Sequence, residues 1–456
     1  MQIIVKMAMD ILLESGHIKV KGVKEMKKLI ILSTMFLLLG CCNVNSPVKK
    51  FNDQKNPSQS EDVILIEENK VTEITKKYKN VIMFIGDGMD PNHVDAGGVY
   101  LGKPLCFDVT DENWTYHAYS NTDSLTSEGF TFDTSKSLLR PELNASLYDG
   151  TPSPYGGNIG AGGNITTYTD SAAGGTALAT GVKVTNSRLG MDINGDPIEN
   201  LVEIASSLGK KTGVVTSDEL VGATPSSFLV HVAERNLQDE IIRGVTNSPV
   251  DLVLAKKPKS FTNNQVGYES LYKQKGFNIA YNVNQLDSTK EKQVGLFDNV
   301  TPRDYPDVPT LEDLTTFALD TLDNEEGFFL MVEGANIDKK AHANDSRGMM
   351  NELIGFNNAV EAATLWAEGR NDTLIIVTAD HETGGLYYDR DKVTKDSIIN
   401  DIKWLTQNHS RTRVDIAVYG DISEYVELYG DNFSTLEGVP YWDNTDVFRV
   451  CATYLS

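Results

Sequence analysis

Short apolar runs alternate with stretches of helical periodicity from about residue 77 to the C terminus. The apolar runs lie at residues 81–85, 212–216, 328–332, 374–377 and 414–418. An apolar run without polar interruptions is typical of a strand buried on both faces between two helical layers. The pattern therefore predicts strands at these positions.

The helices between these strands have recognisable ends. Asn200 can cap a helix that runs through Leu208, and residues 352–368 show helical spacing before Gly369, a residue that favours a C-cap. Alternating strands and helices predict an α/β fold with a mostly parallel central sheet and helices on both faces. We expect one domain with insertions over residues 77–456.

Residues 26–40 resemble a bacterial signal peptide. Lys27 and Lys28 form a basic start, and the apolar run at 29–39 that follows is too short to cross a bilayer. The run ends in Leu-Leu-Gly before Cys41, which is similar to the lipoprotein box, whose cysteine becomes lipidated. The alternative is an ordinary buried apolar segment.

The sequence on either side of this segment predicts the domain organisation. Residues 1–25 fit no part of a signal peptide, so we expect Met26 to be the true start. Residues 41–76 are polar, with Asn, Ser, Gln and Pro, and predict a flexible tether. We therefore expect an exported protein, periplasmic or on the cell surface, that contacts a membrane only through a lipid anchor at Cys41.

The net charge restricts the partners of the chain. Asp and Glu total 64 against 41 Lys and Arg, which gives a formal net charge of −23. Such a protein repels phosphate backbones at long range, so we expect no nucleic-acid partner. An anionic substrate would have to be received by local positive charge, from metal ions or an arginine.

The cysteines agree with export and leave one question open. Cys41 and Cys42 belong to the predicted lipoprotein box, so Cys106 and Cys451 remain. These two could form a disulfide in an oxidising compartment, or they could be two unpaired small residues.

Asp87 and Ser171 lie in the first two of five segments that carry side chains suited to chemistry. Asp87 follows a predicted strand, where a carboxylate can bind a metal, although a plain Asp-Gly turn also explains it. Ser171 follows a Gly-rich run at 156–163 and should open a helix, where free backbone N–H groups would stabilise an alkoxide or a phosphate ester. The alternative is that Asp170 or Ser171 merely caps the helix.

The next two segments add an arginine and a pair of metal ligands. Arg235 follows the segment that contains Thr224, and it could grip two oxygens of a phosphoryl group or be a surface charge. Asp338 and His342 are four residues apart, so on a helical turn they face the same way and can share one zinc ion. Glu333, at the end of a predicted strand, can reach a neighbouring cation.

The fifth segment places Asp380 and His381 directly after a buried strand. The pair offers an oxygen ligand and a nitrogen ligand to one site. His409 lies just before another predicted strand, with Ser410 beside it. These residues extend the predicted metal site.

The other histidines are expected to lie outside the site. His93 and His117 have no acid or hydroxyl that would make them ligands, and we expect neither to bind metal. His231 lies between two valines, which favours a core histidine whose hydrogen bonds are satisfied.

Together the five segments resemble the alkaline phosphatase family. They occur in the family's order over most of residues 77–456, and the spacing from Glu333 to Asp338 to His342 also matches. The resemblance implies hydrolysis of small phosphate monoesters at a site with two zinc ions and one magnesium ion. It leaves a homodimer open, because family members are often dimers.

The resemblance implies a role for each matched residue. The first zinc ion would be held by Asp338, His342 and His409. The second would be held by Asp87, Asp380 and His381, with Ser171 bound to it as the nucleophile that becomes a phosphoserine. Magnesium would be held by Asp87, Thr224 and Glu333, and phosphate would be gripped by Arg235.

The sequence also departs from the family pattern. Gly222 stands where many members carry an Asp or His that supports the magnesium ion, so the third site should be weaker or differently occupied. Lys339 could approach the phosphate through water or be an exposed surface residue. Asp90 stands where Gly is common, and the stretch between Asp87 and Ser171 is long for the family.

Other functions remain open at this point. A phosphodiesterase or a phosphonate hydrolase could use a similar zinc pair, although Arg235 favours monoesters. A sulfatase is disfavoured, because Ser171 is followed by Ala-Ala-Gly-Gly and lacks the Pro and Arg of that family's nucleophile motif. An inactive, metal-holding surface lipoprotein is the alternative from a different class.

Overall fold

An eleven-stranded sheet organises the computed structural model, and two short two-stranded sheets lie within the same part of the chain that the structure describes. The described residues are 74–75, 77–108, 114–124, 168–303, 305, 307–430, 433–436 and 438–456. All of them belong to one unit, Lys70–Ser456.

The described strands follow the predicted apolar runs and add others between them. They are β1 (Asn80–Ile85), β2 (Tyr116–Asn121), β3 (Lys211–Glu219), β4 (Leu252–Lys256), β5 (Asn278–Ala280), β6 (Gln293–Phe297), β7 (Phe328–Glu333), β8 (Thr373–Thr378), β9 (Glu382–Thr383), β10 (Leu386–Tyr387), β11 (Lys403–Trp404), β12 (His409–Ser410), β13 (Val414–Tyr419), β14 (Ser434–Leu436) and β15 (Val439–Asp443). Each of the five predicted strands is present.

The strand order in the large sheet is β14-β15-β2-β13-β8-β1-β7-β3-β4-β6-β5. From β8 to β5 in this order, each strand is parallel to the next one. β13 is antiparallel to both β8 and β2, because the chain stays at the carboxyl edge after β8 and enters β13 from that edge. The prediction of a mostly parallel sheet is confirmed.

The central strands are apolar throughout because each lies between two cores. Val81, Met83 and Ile85 of β1 pack in one hydrophobic core, whereas Ile82 and Phe84 pack in the other. Side chains alternate between the faces of a strand, so both sets must be apolar when both faces are covered.

The helices cover both faces, as predicted. They are α1 (Pro91–Leu101), α2 (Ser171–Thr180), α3 (Leu201–Ser207), α4 (Ala223–Ser227), α5 (Gln238–Val245), α6 (Lys259–Asn263), α7 (Gln265–Gln274), α8 (Leu311–Leu322), α9 (Asn336–His342), α10 (Ser346–Ala367), α11 (Ile398–Asp401), α12 (Ser423–Tyr429) and α13 (Asn444–Leu455). Residues of α2, α3 and α13 pack in the first core, and residues of α1, α8 and α10 pack in the second.

The helix ends largely follow their predicted signals. Asn200 caps α3, its side chain accepting from the backbone N–H of Glu203. α10 begins at Ser346, earlier than predicted, and it ends just before Gly369, whose φ of 76° is left-handed. Ser171 is the first residue of α2.

Several predictions made from the N-terminal sequence lie outside the described residues. These are the upstream segment at 1–25, the signal peptide at 26–40, the anchor Cys41, residues 41–73 of the tether predicted at 41–76, and the Gly-rich run at 156–163. Ile74 packs against the first core and Thr75 bonds to Glu424, so the domain includes residues 74–75.

Two further observations concern export and membranes. Cys106 and Cys451 are not joined by a disulfide, which excludes the bonded alternative that the sequence left open. Within the described ranges, no helix combines the length and apolar character needed to span a bilayer.

Candidate metal centre

Four of the predicted site residues lie at or just after the carboxyl ends of four adjacent strands, at one edge of the sheet. Asp87 follows β1, Glu333 is the last residue of β7, Asp380 follows β8, and Thr224 lies on α4 after β3. The strands are neighbours in the order β8-β1-β7-β3 and run parallel, so their carboxyl ends meet. The fold thereby brings residues far apart in sequence into one site.

A carboxylate and two imidazoles meet at one side of this site. His342 Nε2 lies 3.2 Å from Asp338 Oδ1, and both residues are on α9. His409 Nε2 lies 3.6 Å from the same carboxylate oxygen and 3.1 Å from His342 Nε2. The helical turn predicted from the spacing of Asp338 and His342 is confirmed.

Hydrogen bonds to the other ring nitrogen set the tautomer of these two histidines. His342 Nδ1 lies 2.5 Å from the carbonyl oxygen of Gln407, and His409 Nδ1 lies 2.6 Å from that of Thr169. A carbonyl oxygen only accepts, so both Nδ1 atoms carry hydrogen and both Nε2 atoms present lone pairs. Two lone pairs 3.1 Å apart require a cation or a proton between them.

His381 is held in the same tautomer by a threonine. Its Nδ1 lies 3.3 Å from the hydroxyl oxygen of Thr383, and that hydroxyl donates to Asp338 Oδ1 at 2.6 Å. The Thr383 hydroxyl therefore donates its hydrogen to Asp338, and the oxygen of the same hydroxyl accepts a hydrogen bond from Nδ1 of His381. This orientation of a ligand by a second residue is typical of metal sites.

The Nε2 lone pair of His381 faces two carboxylates and a hydroxyl. It lies 3.5 Å from Asp87 Oδ1, 3.3 Å from Asp380 Oδ2 and 3.1 Å from Ser171 Oγ. The His381 ring also stacks on His409, with centroids 3.6 Å apart. The two halves of the centre are thus in contact.

Several carboxylates of the centre are buried close together, so nearby positive charge would stabilise their ionised forms. Burial and then Asp380 raise the pKa of Asp87 well above its ordinary value. Burial and then Asp338 raise the pKa of Asp380 to about 6, and burial and then Asp218 raise that of Glu333 to about 8. Crowded, desolvated carboxylates of this kind are stabilised by a cation.

Free ligand atoms support the same conclusion. Asp87 Oδ1 and Glu333 Oε1 are buried and have no hydrogen-bond partner among the described residues. Two overlapping groups have the spacing to hold a metal ion: Asp338, His381 and His409, and Asp87, Asp380 and His381. His342 is absent from the first group, but its distances to Asp338 and His409 place it in the same site.

Ser171 occupies the start of α2, where backbone N–H groups point outward. Asp170 caps this helix by accepting from the backbone N–H of Ala173 at 2.9 Å. The same carboxylate accepts from Arg235 Nη1 at 3.2 Å, and the Arg235 side chain remains 32% exposed. The arrangement holds the guanidinium against the cap of the helix that Ser171 opens, with part of the Arg235 side chain accessible to an anion.

The region around Gly222 contains an ion pair that the sequence alone did not predict. Lys339 Nζ contacts Asp218 Oδ1, so Lys339 is engaged by a carboxylate. A Cβ at position 222 would lie 2.6 Å from Asp218 Oδ2. Asp218 therefore occupies the space that a side chain at position 222 would take.

Thr224 and Glu333 complete this part of the site. The Thr224 hydroxyl lies 3.5 Å from Asp380 Oδ2, and the Thr216 hydroxyl bonds to Glu333 Oε2. Thr216, Asp218 and Thr383 were missed by the sequence analysis. All three residues lie within or beside a predicted strand or motif. Their roles in the centre are seen only from their contacts with Glu333, Lys339 and Asp338, which are distant in sequence.

The expectations for the other histidines have mixed outcomes. His231 is satisfied on both nitrogens, as predicted, by the carbonyl of Gly190 at 2.7 Å and by Glu203 at 2.9 Å. Its side chain is 23% exposed, so the prediction that it lies in the core was wrong. The expectation that His93 lacks an acidic neighbour was wrong, because Asp90 caps α1 and contacts His93 at 2.7 Å. His117 contacts Asp415 at 3.2 Å, so the same expectation was wrong for His117.

The chain is similar in sequence to known phosphatases. The profile of the family described as alkaline phosphatase matches residues 162–256 and 262–437. Alkaline phosphatase 4 of Bacillus subtilis (strain 168) is 39% identical over 230 residues, 48% of this chain and 50% of that protein. Alkaline phosphatase H of Pseudomonas aeruginosa (strain UCBPP-PA14) is 29% identical over 425 aligned residues, 76% of this chain and 81% of that protein. The chain therefore spans about half the length of the Bacillus relative and most of the Pseudomonas one.

Solved structures show the same fold. The alkaline phosphatase from the Antarctic bacterium TAB5 superposes with a TM-score of 0.61 at 24% identity, over 83% of this chain and 98% of that one. The Thermus thermophilus alkaline phosphatase gives a TM-score of 0.64 at 20% identity, over 84% and 92%.

Proposed function

The chain belongs to the alkaline phosphatase family, and from that premise we propose that it hydrolyses small phosphate monoesters to inorganic phosphate and an alcohol. The observation that carries the proposal is the position of Ser171. Its hydroxyl oxygen lies at the start of α2, 3.1 Å from His381 Nε2, beside the buried carboxylates and histidines of the centre.

We propose that the centre holds two zinc ions. Asp338, His342 and His409 would hold one, and Asp87, Asp380 and His381 would hold the other. The fit rests on the tautomers, since each histidine presents an Nε2 lone pair to a carboxylate. When bound, zinc lowers the pKa of a coordinated hydroxyl and stabilises negative charge on oxygen.

Ser171 would act as the nucleophile. Its oxygen attacks phosphorus, the ester oxygen leaves as the alcohol after protonation, and a phosphoserine forms. Water then attacks the phosphoserine, which releases phosphate and restores the serine hydroxyl. Arg235 and the N–H groups at the start of α2 would stabilise the non-bridging oxygens in both steps.

A magnesium ion would be held by Asp87, Thr224 and Glu333. The unpartnered Glu333 Oε1 and the raised pKa of Glu333, caused by burial and Asp218, support a cation at this point. Gly222 adds no side chain, and we propose that Asp218 supplies the carboxylate beside this ion. Lys339, which pairs with Asp218, would then influence the magnesium site mainly by positioning the Asp218 carboxylate.

The proposed location follows from the N-terminal sequence. The basic pair, the apolar run at 29–39 and Cys41 support export and a lipid anchor that faces the periplasm or the cell exterior. A homodimer is compatible with the family and is part of the proposal.

The experiment measures hydrolysis of p-nitrophenyl phosphate by the wild type and Ser171→Ala, with metal content counted on the same samples. We expect Ser171→Ala to lose turnover by about three orders of magnitude or more while it keeps its zinc, because only the attacking oxygen is removed. Ser248→Ala is the control, since Ser248 is equally buried but lies before β4, at the opposite end of the sheet.

The outcomes separate the alternatives. Zinc binding by the wild type without monoester turnover, together with cleavage of bis-p-nitrophenyl phosphate, would replace the proposal with a diesterase. Full activity in Ser171→Ala would disprove its role as nucleophile.

A further inference from the structure

A second cluster of buried ligand-type side chains lies beside the centre. Asp90 is three residues after Asp87, and Glu382 directly follows His381. Asp90, His93 and Glu382 are each 0% exposed. One nitrogen or oxygen atom of each lies within 4.8 Å of those of the other two.

The hydrogen bonds of the cluster leave ligand atoms free. Asp90 Oδ1 lies 2.7 Å from His93 Nδ1 and accepts from the His93 backbone N–H at 3.0 Å. Asp90 Oδ2 and His93 Nε2 are buried and have no hydrogen-bond partner in the described part of the chain. Such atoms cost free energy unless a proton or an ion meets them.

Glu382 connects the cluster to two loops of the centre. Its carboxylate accepts from the backbone N–H of Gly385 at 2.5 Å and from the hydroxyl of Ser410. Ser410 is next to His409, and Glu382 is next to His381. The cluster therefore lies against the segments that carry two of the histidines of the centre.

No cationic group of the described residues other than His93 balances the charge of the cluster. Among the described residues, neither Asp90 nor Glu382 forms an ion pair with a lysine or arginine, and the one charged neighbour within salt-bridge distance is His93. With a neutral imidazole and both carboxyl groups ionised, the cluster would carry two negative charges in a fully buried position. Buried carboxylates at this spacing need protons or a cation.

We propose that Asp90, His93 and Glu382 bind a further divalent cation of the zinc class. Two carboxylates neutralise its charge, and an imidazole nitrogen with carboxylate oxygens is a ligand set that zinc accepts. The site has no exposed ligand, which is typical of a structural ion. The ion would tie the loop after β1 to the loop after β8 and so position Asp87 and His381.

The test counts zinc in the full-length protein. Wild type, His93→Asn and Glu382→Gln are loaded with zinc, freed of excess by gel filtration and analysed for zinc per chain. We expect each variant to hold one zinc fewer than the wild type, because each loses one of three ligands. His117→Asn is the matched control: this partly exposed histidine pairs with Asp415 outside the cluster, and its count should not change.

A wild-type zinc count in both cluster variants would overturn the proposal and show that protons neutralise the cluster. Glu382→Gln keeps the side-chain volume, so its count decides the question if His93→Asn does not fold. The same substitutions in a His342→Asn, His409→Asn background should still remove one zinc. The loss of one zinc ion would support this site even if the protein did not hydrolyse phosphate monoesters. The experiments can therefore refute this inference and the proposed function independently.

Discussion

At the scale of single residues, the centre depends on which ring nitrogen each histidine presents. The carbonyl oxygens of Thr169 and Gln407 fix His409 and His342, and the Thr383 hydroxyl fixes His381. Each contact holds the hydrogen on Nδ1. The three Nε2 atoms therefore converge as ligands before any ion binds, which lowers the cost of assembling the site.

Arg235 provides the first prediction at this scale. Arg235→Lys should lower kcat/KM for p-nitrophenyl phosphate by about 10- to 100-fold, because an ammonium group keeps the charge but loses the two-pronged contact with phosphate oxygens. Steady-state kinetics and inhibition by inorganic phosphate measure the effect. Arg243→Lys, on α5 and paired with Asp239, is the control. Equal kcat/KM and equal phosphate inhibition in Arg235→Lys would contradict this role.

At the scale of elements, sheet order determines which loops become neighbours. β1 lies between β7 and β8, and β3 follows β7, so the loops after four strands share one edge. α9 starts just beyond β7 and turns Asp338 and His342 toward the same point. The segment that carries His409 lies at this same edge of the sheet. The chain therefore enters β13 from this edge, which makes β13 antiparallel to β8.

The turn from β3 into α4 provides the prediction at this scale. Asp218→Ala should weaken magnesium binding to the zinc-loaded protein by about 10-fold or more, because the carboxylate beside Gly222 is removed. Calorimetric titration with magnesium measures the affinity, and zinc content should be unchanged. Asp239→Ala, which removes an exposed carboxylate on α5, is the control.

A second substitution makes this test specific. Adding Gly222→Asp to Asp218→Ala should restore magnesium affinity, because a Cβ at position 222 points to the space that Asp218 Oδ2 leaves. Unchanged affinity in Asp218→Ala, or failure of the rescue in a folded double variant, would remove Asp218 from the site.

At the scale of the whole molecule, stability and pH are linked through the buried carboxylates. In the metal-free protein, burial and then Asp218 raise the pKa of Glu333 to about 8, and burial and then Asp338 raise that of Asp380 to about 6. A carboxyl group with a raised folded-state pKa stabilises the fold below its unfolded pKa. This stabilisation is lost as pH rises through the folded pKa.

The free energy of unfolding of the metal-free protein should therefore fall from pH 5 to pH 9, by on the order of 4 kcal/mol for Glu333 alone. Urea unfolding with a chelator measures this slope. The metal-loaded protein should be more stable than the metal-free protein at pH 9, because cations compensate the carboxylates. Glu333→Gln should reduce the fall in the free energy of unfolding by the Glu333 share, on the order of 4 kcal/mol between pH 5 and pH 9. An unchanged slope in this variant would assign the effect to other groups.

The sequence by itself determined the features that depend on neighbouring residues. Apolar runs predicted the central strands because a strand covered on both faces needs apolar side chains throughout. The start of α2 at Ser171 and the shared helical turn of Asp338 and His342 follow from local spacing. The order of the five segments also indicated the family, which the comparison of sequences confirmed.

Only the tertiary structure decided the features that join distant residues. It placed the Asp218 carboxylate against Gly222, brought Glu382 to Asp90 and His93, and formed no disulfide between Cys106 and Cys451. The sequence contains each of these residues but not the distances between them. Charge compensation, histidine tautomers and metal spacing depend on those distances, and the order of strands in the sheet sets them.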